Sequence, residues 1–257
     1  MVCLKLSHQL LPLCQKQLCS ASSTKNVMNG IQVPLYDTHV MTTLTQKAVL
    51  AIGSSVMAIY DPYRADMVAV SGEVMGQNAL ESMFSKMKIS LEGRMILKDR
   101  PSINSKTVNF DLLKGLPENT LGHIYVTFCE NYKITPDSRI PVQFIDDENL
   151  AFVMKRYRET HDIIHALLDM RTDMVGESVV KWVEAMQTGL PMCIGGAIFG
   201  PARFHRNTQF VRFRKLRPWA IYVGQNAKNF LNVYFEKRWE QDIDDLKYEL
   251  KIEPKPR

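Results

Sequence analysis

Acidic residues are missing from two long stretches of this 257-residue chain: none precedes Asp37, and none occurs from Ala185 to Phe235. Long apolar runs are missing as well. Nothing reaches the roughly 20 residues needed to cross a bilayer as a helix. The two most apolar stretches, Ala48–Tyr60 and Leu190–Gly200, are short and broken by Gly or Ser, which predicts buried helices. Of five cysteines, Cys3, Cys14 and Cys19 crowd the N-terminus, and Cys129 and Cys193 make no disulfide framework, as fits a reducing compartment. No phosphate-cradling glycine loop, CxxC pair or nucleophile elbow is present, so chemistry by those routes is not expected.

The composition that remains is that of a globular protein, with 46% hydrophobic and 23% charged residues. The length suits one domain, or one domain with appendages. Residues 1–35 differ from the rest. They carry Lys5, Lys16 and Lys25, many Ser and Thr and no acid, the composition of a mitochondrial presequence, although they lack Arg, which leaves a disordered basic tail as the alternative. Without those three lysines the formal charge of +5 falls to +2. The body, residues 36–257, is therefore only mildly basic, and the placing of its charge matters more than the total.

Arg203, Arg206, Arg212, Arg214, Lys215, Arg217 and Lys228 all fall in the acid-free stretch, interleaved with Phe204, Phe210, Phe213 and Trp219. Anionic lipid headgroups with apolar side chains inserted beside them would be met this way. A solvated basic helix is the plain alternative. No nucleic-acid motif accompanies the cations, and no nucleic-acid partner is expected.

The periodicity is mainly helical and predicts a mainly α protein with a single helical domain. Helices are expected over Leu44–Tyr60, from an Asp61-Pro62 cap to about Gly76, as one or two pieces over Asn78–Asp99, and over Leu121–Tyr132. A polar loop with a short extended piece is expected up to Leu116. Asp146 or Asp147 should cap a long helix from Glu148 to about Met170, with Leu150, Val153, Tyr157, Ile164 and Leu168 on its apolar face. Thr172 or Asp173 should cap the next, where Val179, Trp182, Val183 and Met186 face the core. Trp239, Ile243, Leu246 and Leu250 form a last docking stripe.

Chemistry concentrates in HDIIH, residues 161–165. His161, Asp162 and His165 span an arc of roughly 100° on one helix face. The loop MRTDMVG can turn the chain and bring Glu177 back as a fourth ligand, with the metal site on one helix and the start of the following one. Neutral imidazoles and carboxylates suit Zn2+ and related divalent ions. Asp162 or Glu177 could alternate between ligand and proton carrier, which makes both candidate catalytic residues. Tyr157 and Arg158, one turn earlier, are candidates for contact with a substrate, Arg158 equally for a structural ion pair. Gly195, Gly196 and Gly200 suit close backbone approach or leave space for a ligand.

HDIIHALLDMRTDMVGE resembles the HDxxH-x11-E signature of the coenzyme Q biosynthesis protein 4 family, and departs from it at none of the four positions. The likeness continues through YDPYRADMVAV from Tyr60, FIDDENLAFVMKRYRETHD from Phe144, VVKWVEAMQTGLPMCIGGAIFGP from Val179 and YFEKRWEQ from Tyr234, covering nearly all of the chain after about Leu35. The resemblance implies a mostly helical protein held peripherally on the matrix side of the inner mitochondrial membrane. It implies other coenzyme Q biosynthesis enzymes as partners in a complex, and anionic lipid beneath it. It further implies a divalent metal, taken as zinc, on His161, Asp162, His165 and Glu177. The implied reaction is loss of the C1 carboxyl of a polyprenylated 4-hydroxy-3-methoxybenzoate, coupled to hydroxylation at that carbon. A non-catalytic lipid-binding scaffold with a structural metal is the rival reading, and a metallohydrolase of phosphate esters a third.

Overall fold

The computed structural model describes residues 27–28, 31–32, 34–61 and 64–256. The chain divides between Pro34 and Leu35 into two units. In the first, β1 (Val27–Met28) and β2 (Ile31–Gln32) form a minimal antiparallel pair, with Val27 opposite Gln32 and Met28 opposite Ile31. The rest of the segment read as a presequence, Pro34 and Leu35 aside, lies outside the described residues.

The second unit is helical throughout, as the sequence predicts. Its order is α1 (Leu44–Tyr60), α2 (Ala65–Met75), α3 (Gln77–Ile89), α4 (Leu91–Asp99), α5 (Phe110–Lys114), α6 (Leu121–Tyr132), α7 (Glu148–Leu167), α8 (Met174–Thr188), α9 (Pro191–Phe199), α10 (Asn207–Asn226) and α11 (Ile243–Glu249). Side-chain caps start most of them. Thr43 and Gln46 form a capping box on α1, Ser90 accepts from Gly93 N on α4, and Thr120 accepts from His123 N on α6. Two expectations fail here. Asp61 does not cap α2; its backbone N–H closes α1 on Met57 O at 2.8 Å, Pro62 lies outside the described residues, and the N-cap position is Arg64. The loop before Leu116 holds α5 rather than an extended piece, because the Asn109 side chain accepts from Leu112 N and starts a helical turn.

α7 is the central element and borders both halves of the core. Its first turns pack Leu150, Val153 and Met154 with Leu80, Met83, Met87 and Ile96 of α3 and α4; its last turns pack Ile163, Ile164 and Leu167 with Tyr125 of α6, Val179 and Val183 of α8 and Ala220 of α10. The C-terminal stripe docks as expected: Ile243, Leu246 and Leu250 are buried, and Trp239 stacks on Tyr125 at 5.6 Å. Arg156, fully enclosed on α7, pairs with Glu236 and donates to Val233 O at 2.8 Å. A buried cation left unpaired would cost several kcal/mol.

Three burial expectations are corrected. α1 is not a buried helix: Val49, Ile52 and Val56 are 59–69% exposed, Ile59 and Tyr60 are open too, and the helix buries only Ser54. Its apolar stripe at spacings of three and four points away from α2, since the period marks a face and not what covers it. α9 is likewise half open, burying Cys193 and Ala197 while Ile194, Ile198 and Phe199 face out. On α8 the core side is Val179, Val180 and Val183; Trp182 is only partly buried and Met186 is exposed. In the acid-free stretch the interleaved aromatics split similarly, with Phe204, Phe213 and Trp219 in the core and Phe210 outside.

Candidate metal centre

The turn between α7 and α8 builds the site. Met170 N bonds His165 O at 2.9 Å, and Asp169 takes a left-handed conformation, φ 49°, to fold the chain back. The reversal puts Met170 O against His165 Nδ1 at 3.2 Å. Asp173 then caps α8, accepting from Gly176 N at 2.8 Å, as one of the two caps that the sequence allows. Gly176 cannot be another residue without movement: a Cβ there would sit 1.8 Å from Arg171 O. Glu177, in the first turn of α8, is thereby returned to α7.

His161, His165 and Glu177 come together, their donor atoms within 4.8 Å of one another. Glu177 Oε1 is 3.3 Å from His165 Nε2, and Oε2 is 3.6 Å from His161 Nε2. A tetrahedral ion with bonds of about 2.0–2.1 Å separates its donors by about 3.3–3.4 Å. The rings sit edge to face at 4.7 Å, and Phe128 stacks on His165 at 5.9 Å.

Hydrogen bonding fits these three residues to a cation. Each Nδ1 faces an oxygen acceptor, Glu184 Oε1 at 2.7 Å for His161 and Met170 O for His165, so each Nδ1 carries its proton. The lone pairs of the neutral rings then lie on Nε2. His165 Nε2 is fully buried and makes no hydrogen bond, although it faces a carboxylate oxygen. Two lone-pair atoms facing one another at that distance call for a proton or a metal ion between them. Burial and the Lys181 ammonium oppose charge on His161, yet Glu184 and Glu177 outweigh them and push its pKa up to about 10. Burial likewise opposes ionisation of Glu177, but His165 and His161 hold its carboxyl well below the usual range.

The structure does not bring Asp162 to this point. Its carboxylate pairs with Arg139 at 2.7 Å, and that guanidinium also donates to Tyr125 Oη at 3.3 Å and Ile103 O at 2.8 Å. Asp162 lies 100° round the helix from His161, on the side facing the Arg139 loop rather than α8. Arg158 takes the structural role of its two readings, bonding Glu73 at 2.6 Å, Ile140 O and Ala69 O. Gly196 and Gly200 allow close packing on α8: a Cβ at Gly200 would stand 2.4 Å from Ser178 Oγ, and one at Gly196 3.1 Å from Lys181 Cγ. Gly195 faces open space.

Tyr157 is buried beside the site in a network that sequence reading missed. Its hydroxyl donates to Glu184 Oε2 at 2.8 Å, accepts from Lys181 Nζ at 2.9 Å and lies 3.2 Å from Cys193 Sγ. Lys181 Nζ also bonds Glu184 Oε2 at 2.6 Å. Despite burial, Lys181 and His161 hold Glu184 below the carboxylate range, while burial pushes the Cys193 thiol up to about 12. The signal lay in spacing: Glu177, Lys181 and Glu184 recur on one face of α8 at i, i+4 and i+7.

A sequence profile described as coenzyme Q (ubiquinone) biosynthesis protein Coq4 matches residues 36–256. The chain belongs to this family. Among relatives, the mitochondrial ubiquinone biosynthesis protein COQ4 homolog of Bombyx mori is 52% identical over 231 residues, covering 90% of this chain and 89% of that one. The Rattus norvegicus homolog of the same name is 50% identical over 223 residues, 87% and 84% of the two chains. A crystal structure of a protein from Nostoc punctiforme named for ubiquinone biosynthesis superposes with a TM-score of 0.65 at 19% identity, over 83% of this chain and all of that one. This last likeness shares the helical fold. Membership in the Coq4 family makes this a ubiquinone biosynthesis protein.

Proposed function

We propose that the His161–His165–Glu177 site removes the C1 carboxyl of a polyprenylated 4-hydroxy-3-methoxybenzoate, with hydroxylation at the same carbon, while the protein helps gather other coenzyme Q biosynthesis enzymes. The observation carrying this reading is the buried, unbonded His165 Nε2 facing the Glu177 carboxylate, beside a second imidazole whose Nε2 also faces that carboxylate. A divalent ion held by these three residues, zinc on the chemistry of the donor set, would polarise a substrate oxygen without redox chemistry of its own.

The chain's own groups supply the rest. Glu177, held ionised and 36% exposed, can accept the phenolic proton as the 4-hydroxyl releases electrons toward C1. In simple decarboxylation C1 takes a proton as carbon dioxide leaves. In the coupled version dioxygen is the two-electron oxidant: carbon dioxide leaves, water supplies the hydroxyl at C1 and dioxygen departs as hydrogen peroxide. Lys181, mostly buried beside the site, spends two of its three N–H donors on Tyr157 and Glu184 and keeps one for a substrate oxygen. Asp162, paired with Arg139, is the second candidate proton carrier.

Peripheral attachment to the matrix side of the inner mitochondrial membrane belongs to the same proposal. No helix among the described residues is long and apolar enough to cross a membrane. Val49, Ile52, Val56 and Ile59 instead present an open apolar stripe on α1. Arg203 reaches the carbonyls of Ile59 and Tyr60, so the end of α1 adjoins the turn after α9, where Ile198 and Phe199 are also open. Arg214, Lys215 and Arg217 of α10 make no ion pair among the described residues, and fit an anionic headgroup layer. The relatives named above are called mitochondrial.

The test is mass-spectrometric turnover of the prenylated benzoate by zinc-loaded protein, in air and without oxygen, beside folded Glu177→Ala. Product lacking the C1 carboxyl, absent from the variant, supports the reading, and its oxygen dependence separates the two versions. No product from intact protein that binds the substrate would leave a lipid-binding scaffold.

A further inference from the structure

Glu184 is the most completely enclosed charge near the site, its side chain 1% exposed. It lies outside the HDxxH-x11-E pattern, seven residues beyond Glu177 and two turns along the same face of α8. Each of its oxygens has a separate task. Oε1 meets His161 Nδ1 at 2.7 Å, the length of a charge-assisted bond. Oε2 receives Lys181 Nζ at 2.6 Å and the Tyr157 hydroxyl at 2.8 Å, with Cys193 Sγ at 3.6 Å. The carboxylate therefore cannot rotate away from His161 without breaking two strong bonds inside a closed pocket.

Lys181 and Tyr157 are fixed in turn. The Lys181 ammonium lies 5.6 Å over the Tyr157 ring, and its stem is covered by the Cβ-free edge of Gly196. His165 has no such carboxylate behind it; its Nδ1 meets only the Met170 carbonyl. The two imidazoles differ accordingly, one backed by an anion and the other by a neutral dipole.

We infer that Glu184 is the positioning carboxylate of the metal centre: with Lys181 and Tyr157 locking it, it holds the His161 ring so that Nε2 faces Glu177 and makes that ring the stronger donor. Carboxylates behind metal-bound imidazoles fix the ring's orientation and raise its basicity, and their loss costs about 10–100-fold in metal affinity. The inference rests on the metal-binding reading above, though not on the identity of the reaction.

The experiment measures Zn2+ affinity of the full chain by competition with a chromophoric chelator, for wild type, Glu184→Gln, Lys181→Met, the double variant Glu184→Gln/Lys181→Met and His165→Ala. Thermal unfolding of the metal-free proteins identifies folded variants, and the double variant removes both buried charges together so that neither is left alone. Glu184→Gln and the double variant are expected to bind zinc about 10–100-fold more weakly, with Lys181→Met closer to wild type. In the zinc-loaded wild type, the His161 Nδ1 proton should give a strongly downfield NMR signal that moves upfield in Glu184→Gln. Were Glu184 only the counter-ion of Lys181, the double variant would recover wild-type affinity and the inference would fall. Wild-type affinity in folded Glu184→Gln would also overturn it, while leaving the metal site intact. Equal, weak binding by wild type and His165→Ala would instead bring down the metal-site reading, and this inference with it.

Discussion

The seam between α7 and α8 and the outer face of α1 use their residues in opposite ways. Along the seam, charged groups are enclosed and nearly every polar atom is answered: Glu184 makes bonds to three side chains, and His161 lies between two carboxylates. On α1, aliphatic side chains lie in solvent and Ser54 is the helix's buried residue. Buried charge costs free energy unless it is fully paired, and exposed apolar area gains nothing until something covers it. Each region departs from the cheapest arrangement, and such departures mark where folding has yielded to function.

The largest effect should come from the unanswered His165 Nε2. His165→Ala removes it, and Glu177→Ala removes the carboxylate it faces; either should abolish metal retention and turnover while the chain stays folded, read by metal analysis and mass spectrometry beside circular dichroism. Retention of metal in both would mean that the ion is held elsewhere.

Stability should distinguish the regions next. Ile163, fully buried, should cost about 2–5 kcal/mol as Ile163→Ala. The same change at Ile52, 69% exposed, should stay within about 0.5 kcal/mol in urea unfolding. Equal losses would mean that the α1 stripe is covered in solution. Gly176→Ala should fall between these, since the new methyl meets the Arg171 carbonyl and must push the start of α8 aside. Metal affinity should drop together with melting temperature, because the displaced turn carries Glu177; a drop in melting temperature alone would separate the turn from the site.

Val56→Glu sharpens the other side. It should weaken sedimentation with anionic vesicles and leave urea unfolding unchanged. Unaltered vesicle binding would remove α1 from the membrane face.

The smallest effect concerns pH. Hydrogen bonds from Arg238 lower the Glu249 carboxyl from its ordinary 4.5 to about 2. A depressed carboxyl stabilises fully above its unfolded value, so this contribution is intact above about 4.5 and lost as pH falls toward 2. Glu249→Gln should flatten the fall in urea midpoint across that window, and an unchanged slope would reassign the acid sensitivity.

Much of the site was legible because local rules place it. HDIIH spacing fixes two imidazoles on one face, Asp173 starts α8, and the short turn leaves Glu177 little choice but to return. What could not be read depended on partners distant in sequence. Asp162 follows His161, yet its direction was decided by Arg139, from a loop 23 residues earlier. Glu184 and Lys181 stand among valines and tryptophan, where charge reads as the solvated edge of a helix; their meeting with Tyr157 and Cys193 needs the packing of α7, α8 and α9. For α1, periodicity revealed an apolar face and could not say that the rest of the chain leaves it open.

His161, His165 and Glu177 should share one divalent ion. Metal analysis of the full chain, exhaustively dialysed after loading with Zn2+, tests this most directly. About one ion per wild-type chain and none in folded His165→Ala is expected; equal metal content in the two proteins would mean that these residues hold no ion.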